Sequence, residues 1–181
     1  IGNAYPTFEE TRKYLAPGLF GPCGYGLPSV VGAKIGRPDV PVVGFSGDGA
    51  FGIAVNELTA IGREEWPAVT QIVFRNYQWG AEKRNSTLWY DDNFVGTELD
   101  TQVSYAGIAK ACGLQGVVAK TMDELTEALH TAIKDQMENG KTTLIEAMIN
   151  QELGEPFRRD AMKKPVAIAG ISVSDMREQA V

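Results

Sequence analysis

The stretch Gly47-Asp48-Gly49-Ala50-Phe51-Gly52, with Asn76 closing the next apolar run, does most to limit what this chain can fold into. Val42 to Ser46 ahead of it reads as a buried strand, Phe51 to Arg63 as a helix, and Val69 to Arg75 as a second strand. Asp48 and Asn76 then stand at the carboxyl ends of two strands joined by a helical crossover. In open α/β sheets that edge is where ligands bind. A carboxylate and a carboxamide oxygen there, with backbone carbonyls and water, make an all-oxygen set suited to Mg²⁺. The glycines let bare N–H groups at a helix start approach a phosphate. From the residues alone, the unit is a cradle for a metal and a diphosphate.

The remaining pattern extends this unit into an α/β domain. Small and apolar residues from Gly24 to Ile35 predict a buried helix, and Gly36-Arg37-Pro38-Asp39 a turn. Gln78 to Thr101 has no clean period and is expected to be a long functional loop. Val103 to Cys112 predicts a helix stopped by Gly113, and Gly116 to Ala119 a short strand. Thr121 and Glu124 have the spacing of a capping box, and Leu125, Leu129, Ala132, Ile133 and Met137 mark one face of the helix that follows. Thr143 to Ile149 is apolar enough for a strand buried on both faces. Alternating strands and helices predict a parallel sheet with helices on both faces. Residues 1–150 read as this domain, and 151–181 as a charged tail wrapping its surface.

Composition removes several function classes. The 181 residues suffice for one domain with a full core. A net charge of −6 argues against nucleic acid, which needs a cationic footprint. No apolar run approaches the ~18 residues of a membrane span. The first residues lack the basic and apolar regions of a secretory signal, and the missing initiator Met points to a longer parent protein. Cys23 and Cys112 lie far apart without CxxC spacing, which fits a reducing cytoplasm better than a disulfide scaffold.

Gly47-Asp48-Gly49 with the spaced Asn76 resembles the signature of thiamine-diphosphate enzymes. Gly21-Pro22-Cys23-Gly24-Tyr25-Gly26-Leu27-Pro28 and Val31-Gly32-Ala33-Lys34 are similar to the segment preceding that signature in the acetolactate synthase branch. Three further stretches, Gln78 to Asn85, Phe94 to Leu99 and Glu152 to Ala161, resemble its sulfoacetaldehyde acetyltransferase subfamily. The resemblance covers nearly the whole chain, but only the carboxy-terminal, diphosphate-binding third of such an enzyme. It implies thiamine diphosphate and Mg²⁺ as cofactors, with sulfoacetaldehyde and phosphate converted to acetyl phosphate and sulfite. Acetolactate synthase, or the small subunit of a two-chain 2-oxoacid decarboxylase of the sulfopyruvate or phosphonopyruvate type, is the alternative within the family. Outside it stand a module that holds Mg²⁺-diphosphate without catalysis and a haloacid-dehalogenase-like phosphatase. The last needs a DxD that this sequence lacks.

The resemblance also assigns residues. Asp48 and Asn76 side chains and the Gln78 carbonyl are the implied metal ligands, and Gly49, Ala50, Gly80 and Ala81 offer N–H groups to phosphate. Gly47, Gly24 and Trp79 belong to the same cofactor-binding set. Gly21 and Cys23 meet the aminopyrimidine, with the Cys23 side chain read either as a support for the bent cofactor or as a buried small hydrophobe. Many relatives carry a second asparagine where this chain has Arg75. That position supports the ligand, and Arg75 is expected to touch the phosphate or a partner chain. Lys83, Arg158 and Arg159 are the candidate contacts for a small anionic substrate, since Arg suits planar sulfonate or phosphate groups. The activating glutamate belongs to a pyrimidine-binding domain of a longer chain or partner subunit, in a homodimer or homotetramer. Glu57, two turns into the predicted helix, is read as structural, and His130 as a surface or packing residue.

Overall fold

The computed structural model describes residues 6–152. In chain order the elements are α1 (Gly26–Gly36), β1 (Val43–Gly47), α2 (Asp48–Ile53), a 3-10 turn (Val55–Glu57), α3 (Leu58–Ile61) and β2 (Thr70–Arg75). They continue as α4 (Gly80–Trp89), α5 (Tyr105–Ala111), β3 (Gln115–Ala119), α6 (Met122–Glu138) and β4 (Thr143–Met148). Two compact units emerge. One holds the sheet, running up to Trp79 and resuming over Glu98–Gln151; the other contains α4 within Gly80–Thr97.

Among the described residues the strand pairs are parallel, in the order β1-β2-β4-β3. Gly47 pairs with Phe74, and Arg75 with Met148, so the carboxyl ends of β1, β2 and β4 lie level. Strand alternation divides the core. Val73 and Leu144 join Leu27, Val31, Phe51, Leu58, Tyr105 and Ala109 on the face covered by α1, α2, α3 and α5. Ile72, Ile145 and Ala147 join Ala132, with Leu125 and Leu129, on the α6 face. The expected parallel sheet with helices on both faces is therefore present.

The capping box forms as its spacing predicts: Thr121 Oγ1 accepts from the Glu124 N–H, and Glu124 Oε2 accepts from the Thr121 N–H. Three expectations are corrected. Gln78 to Thr101 is not all loop, since α4 occupies ten residues of it. This helix has no buried residue, hence no apolar period to betray it; the signal was propensity, in Ala81-Glu82-Lys83-Arg84. The helix expected from Phe51 to Arg63 starts at Asp48 and breaks at Ala54, whose φ of −110° and ψ of 13° leave the helical region. On α6, Met137 is exposed and the neighbouring Gln136 points inward instead. Gln136 accepts from the Val42 N–H at 2.7 Å and donates to Val42 O and Thr70 Oγ1, both at 2.9 Å. A buried amide ties α6 to the start of β1 and β2 where an apolar residue was expected. Among the described residues no helix is long and apolar enough to cross a membrane.

Candidate functional site

Asp48 opens α2 directly after β1, with Gly47 in extended conformation as the N-cap. Its side chain is 1% exposed, and its two oxygens have different surroundings. Oδ2 accepts from Arg75 Nη1 (3.1 Å) and from the backbone N–H groups of Asn76 (3.1 Å) and Tyr77 (2.7 Å). Oδ1 accepts from the Gly49 N–H at 3.0 Å. The Gly49 N–H, expected at a phosphate, is thus engaged by the carboxylate beside it. The first-turn Ala50 N–H belongs to the donors that an α-helix leaves without an internal partner.

Beyond β2 the chain turns sharply, because Tyr77 adopts φ +61°. An aromatic residue in the left-handed region costs ~1 kcal/mol, and such strain persists only where its surroundings enforce it. Here Tyr77 donates to Asp48 Oδ2, and its carbonyl accepts from the Leu99 N–H at 2.8 Å. The turn brings the end of the Asn76 side chain to 3.1 Å from the Gln78 carbonyl oxygen and 3.3 Å from Asp48 Oδ1. Amide orientation follows from the neighbours. With the oxygen at that position, three acceptors converge: one carboxylate oxygen, one carboxamide oxygen and one backbone carbonyl. With the nitrogen there, the amide would donate to the other two. Among the described residues no group of three or more His, Cys, Asp or Glu comes together, so this convergence is built mainly from neutral oxygens.

Two amide contacts fix the turn from outside. Gln78 Nε2 donates to the Gln151 carbonyl at 2.8 Å, and Gln151 Nε2 donates to the Asn76 carbonyl at 3.0 Å. Trp79 lies across Gly49: a Cβ on Gly49 would stand 2.8 Å from the indole ring, so only glycine fits there.

Arg75 touches neither phosphate nor a partner surface in the way the sequence suggested, for it is 1% exposed. Besides Asp48 it donates through Nη2 to the carbonyls of Asp100 (2.6 Å) and Val103 (3.0 Å). Its guanidinium carbon lies 4.2 Å from the Tyr77 ring centroid and 4.9 Å from that of Tyr105. Nε stands 3.5 Å from Glu146 Oε1, a charge contact without hydrogen-bond alignment. Glu146 Oε2 accepts from Ser104 Oγ and the Ala106 N–H, fixing the start of α5. Tyr105 in turn donates its phenol to the Asp48 carbonyl at 3.1 Å. Burial pushes that phenol up. Sequence reasoning missed Glu146 and Tyr105. A lone charge inside the apolar run Thr143 to Ile149 was the available signal.

The other named residues are more scattered. Gly21 (φ +60°) and Cys23 are exposed, so Cys23 is not a buried hydrophobe. Gly24 (φ +88°) packs on Ile53, which an added Cβ would meet at 3.0 Å. Gly80 and Ala81 form the first turn of α4 in the second unit. Lys83, also there, lies 5.3 Å from the Phe94 ring centroid. His130 is exposed on α6, in line with a surface residue, whereas Glu57 is exposed on the 3-10 turn rather than set within a helix. Arg158, Arg159 and the expected tail lie outside the described residues.

Residues 1–147 match the family described as thiamine pyrophosphate enzyme, C-terminal TPP binding domain. The chain belongs to that family. It is 87% identical, over its whole length, to sulfoacetaldehyde acetyltransferase of Roseovarius nubinhibens, and 79% identical over 99% of its length to the enzyme of that name from Rhodobacter capsulatus. In both cases it spans 30% of the relative's length. Among solved structures, the thiamine diphosphate-dependent 4-hydroxybenzoylformate decarboxylase of Rhodococcus jostii RHA1 superposes with a TM-score of 0.64 at 26% identity. That match covers 75% of this chain and 24% of the decarboxylase.

Proposed function

We propose that this chain is the cofactor-binding carboxy-terminal part of a thiamine-diphosphate-dependent sulfoacetaldehyde acetyltransferase. The parent enzyme converts sulfoacetaldehyde and phosphate to acetyl phosphate and sulfite. The observation that carries the cofactor assignment is the convergence of Asp48 Oδ1, the Asn76 side chain and the Gln78 carbonyl. The end of the Asn76 side chain lies 3.1 Å from the Gln78 carbonyl and 3.3 Å from Asp48 Oδ1, and with its oxygen turned inward the three would form an all-oxygen set suited to Mg²⁺. The choice of sulfoacetaldehyde rests on the two relatives of that name.

In this reading Asp48 supplies the one negative ligand, while Asn76 and Gln78 supply neutral oxygens that bind without adding charge beside the diphosphate. The Ala50 N–H favours a phosphate oxygen, and Gly21 and Cys23 present backbone groups to the aminopyrimidine. Bound thiamine diphosphate supplies the carbanion chemistry of the acetyl transfer; these residues bind, orient and charge-balance its diphosphate end. Lys83, Arg158 and Arg159 are the cations proposed for the sulfonate or phosphate. A pyrimidine-binding domain with an activating glutamate, in a cytoplasmic homodimer or homotetramer, completes the enzyme.

Calorimetric titration of the complete enzyme with thiamine diphosphate, with and without Mg²⁺, tests the ligand set. Asp48→Ala and Asn76→Ala are each expected to weaken metal-dependent cofactor binding by more than the ~10–100-fold typical of losses one shell further out. Unchanged affinity in either variant removes that ligand from the set. Sulfite release from sulfoacetaldehyde, with acetyl phosphate formed, tests the substrate; acetolactate from pyruvate instead would move the parent enzyme to the neighbouring branch.

A further inference from the structure

We infer that Arg75 is the resident counter-ion of the Asp48 carboxylate: it holds Oδ2 and offsets its charge, so that Oδ1 stays aimed at the cation position even when no divalent metal is bound. The inference rests on the Mg²⁺ reading above and assigns Arg75 a positioning role within it.

The asymmetry of the carboxylate is the first support. Oδ2 takes three donors, among them the charged Arg75 Nη1, while Oδ1 takes the Gly49 N–H and lies 3.3 Å from the end of the Asn76 amide, whose nitrogen donates to it when no cation is present. A carboxylate gripped on one oxygen cannot rotate, so the other oxygen is set in advance. The second support is the completeness with which Arg75 itself is fixed. Two backbone carbonyls, two carboxylates and two tyrosine rings surround a side chain that is 1% exposed. Its planar fork is held on more than one side, which a lysine could not reproduce.

Charge supplies the third. The described buried ionic groups at this edge are Asp48, Glu146 and Arg75. With Arg75 they carry a net charge of −1; without it, two carboxylates would share a water-poor site with no cation. Burying unpaired charge is strongly unfavourable, whereas a divalent ion arriving at Oδ1 would neutralise it. Arg75 therefore separates the stability of the folded edge from metal occupancy. Removing it should make that edge depend on metal.

The measurement is the melting temperature of the complete enzyme at neutral pH, in EDTA and in Mg²⁺ with thiamine diphosphate. Wild type is expected to gain a metal- and cofactor-dependent rise, and Arg75→Gln a rise about twofold larger from a lower starting point. Arg75→Lys keeps a cation but loses the fork. It is expected to be less stable throughout while keeping the wild-type rise. If Arg75→Gln does not yield folded protein, Arg75→Gln/Glu146→Gln is compared with Glu146→Gln alone, and the larger rise is expected in the double variant. Equal rises in wild type and Arg75→Gln, or in the double variant and its Glu146→Gln parent, reduce Arg75 to a packing residue and overturn the inference. No metal-dependent rise in wild type fails the Mg²⁺ reading itself, and the inference with it.

Discussion

Gly49 shows how a single missing methyl lets Trp79 pack beside Asp48. Its Cα is covered by the Trp79 indole, and the nearest ring atoms would lie 2.8 Å from an added Cβ. The ring is large and sits beside the Gln78 turn, so the clash is not relieved by a flexible side chain. Gly49→Ala is expected to destabilise the chain by about 1–3 kcal/mol as an overpacking change. It should also shift Trp79 fluorescence, read as a difference against Trp79→Phe in both backgrounds. An unchanged Trp79 signal would show that the indole already has room. At the far end of the same sheet, Gln136 makes three hydrogen bonds to Val42 and Thr70 while 3% exposed. Gln136→Leu has nearly the right volume but leaves those groups without a partner. A loss of about 1–3 kcal/mol in urea unfolding is expected, and a neutral result would mean that water replaces the amide.

At the scale of elements, α6 is the helix whose start the sequence specifies most fully. Thr121 and Glu124 exchange both capping bonds, and Glu124 also accepts from the Lys120 N–H at 2.6 Å. Thr121→Ala should therefore cost ~1 kcal/mol, with Thr121→Ser close to wild type in thermal unfolding. Equal stability of the two variants would show that tertiary packing alone fixes the helix start. The same element illustrates what was legible. Strands β1, β2 and β4 and the helix face of Leu125, Leu129 and Ala132 were readable because apolar period and turn residues report burial directly. The Asp48–Asn76 pairing was readable because both ends of a crossover reach one sheet edge. By contrast, α4 was hidden because it buries no side chain. Glu146, Tyr105 and the partners of Arg75 were hidden for another reason. Their contacts join strand ends and α5 across the sheet, and no local pattern records which distant charge a buried residue meets.

At the scale of the molecule, the buried acids at the carboxyl edge of the sheet are already committed. Among the described residues the buried carboxylates are Asp48 and Glu146. Asp48 is spent on Arg75, the Asn76–Tyr77 backbone and the proposed cation; Glu146 holds Ser104, Ala106 and the Arg75 charge. Glu57, the other acid near α2, is exposed on a 3-10 turn. A proton-transfer group working on the aminopyrimidine must come within hydrogen-bond reach of it and not be held elsewhere. Asp48 and Glu146 are held by the partners just named, and the chain spans 30% of the two relatives named above. The 181-residue chain, supplied with Mg²⁺, thiamine diphosphate, sulfoacetaldehyde and phosphate, is therefore expected to release no sulfite above the protein-free background. Joined to a pyrimidine-binding domain it should release sulfite and form acetyl phosphate. Replacing the activating glutamate of that domain by glutamine should abolish both products while leaving Mg²⁺-dependent cofactor binding in place. Sulfite release by the chain alone would place the missing proton-transfer group within these residues and make the cradle itself catalytic.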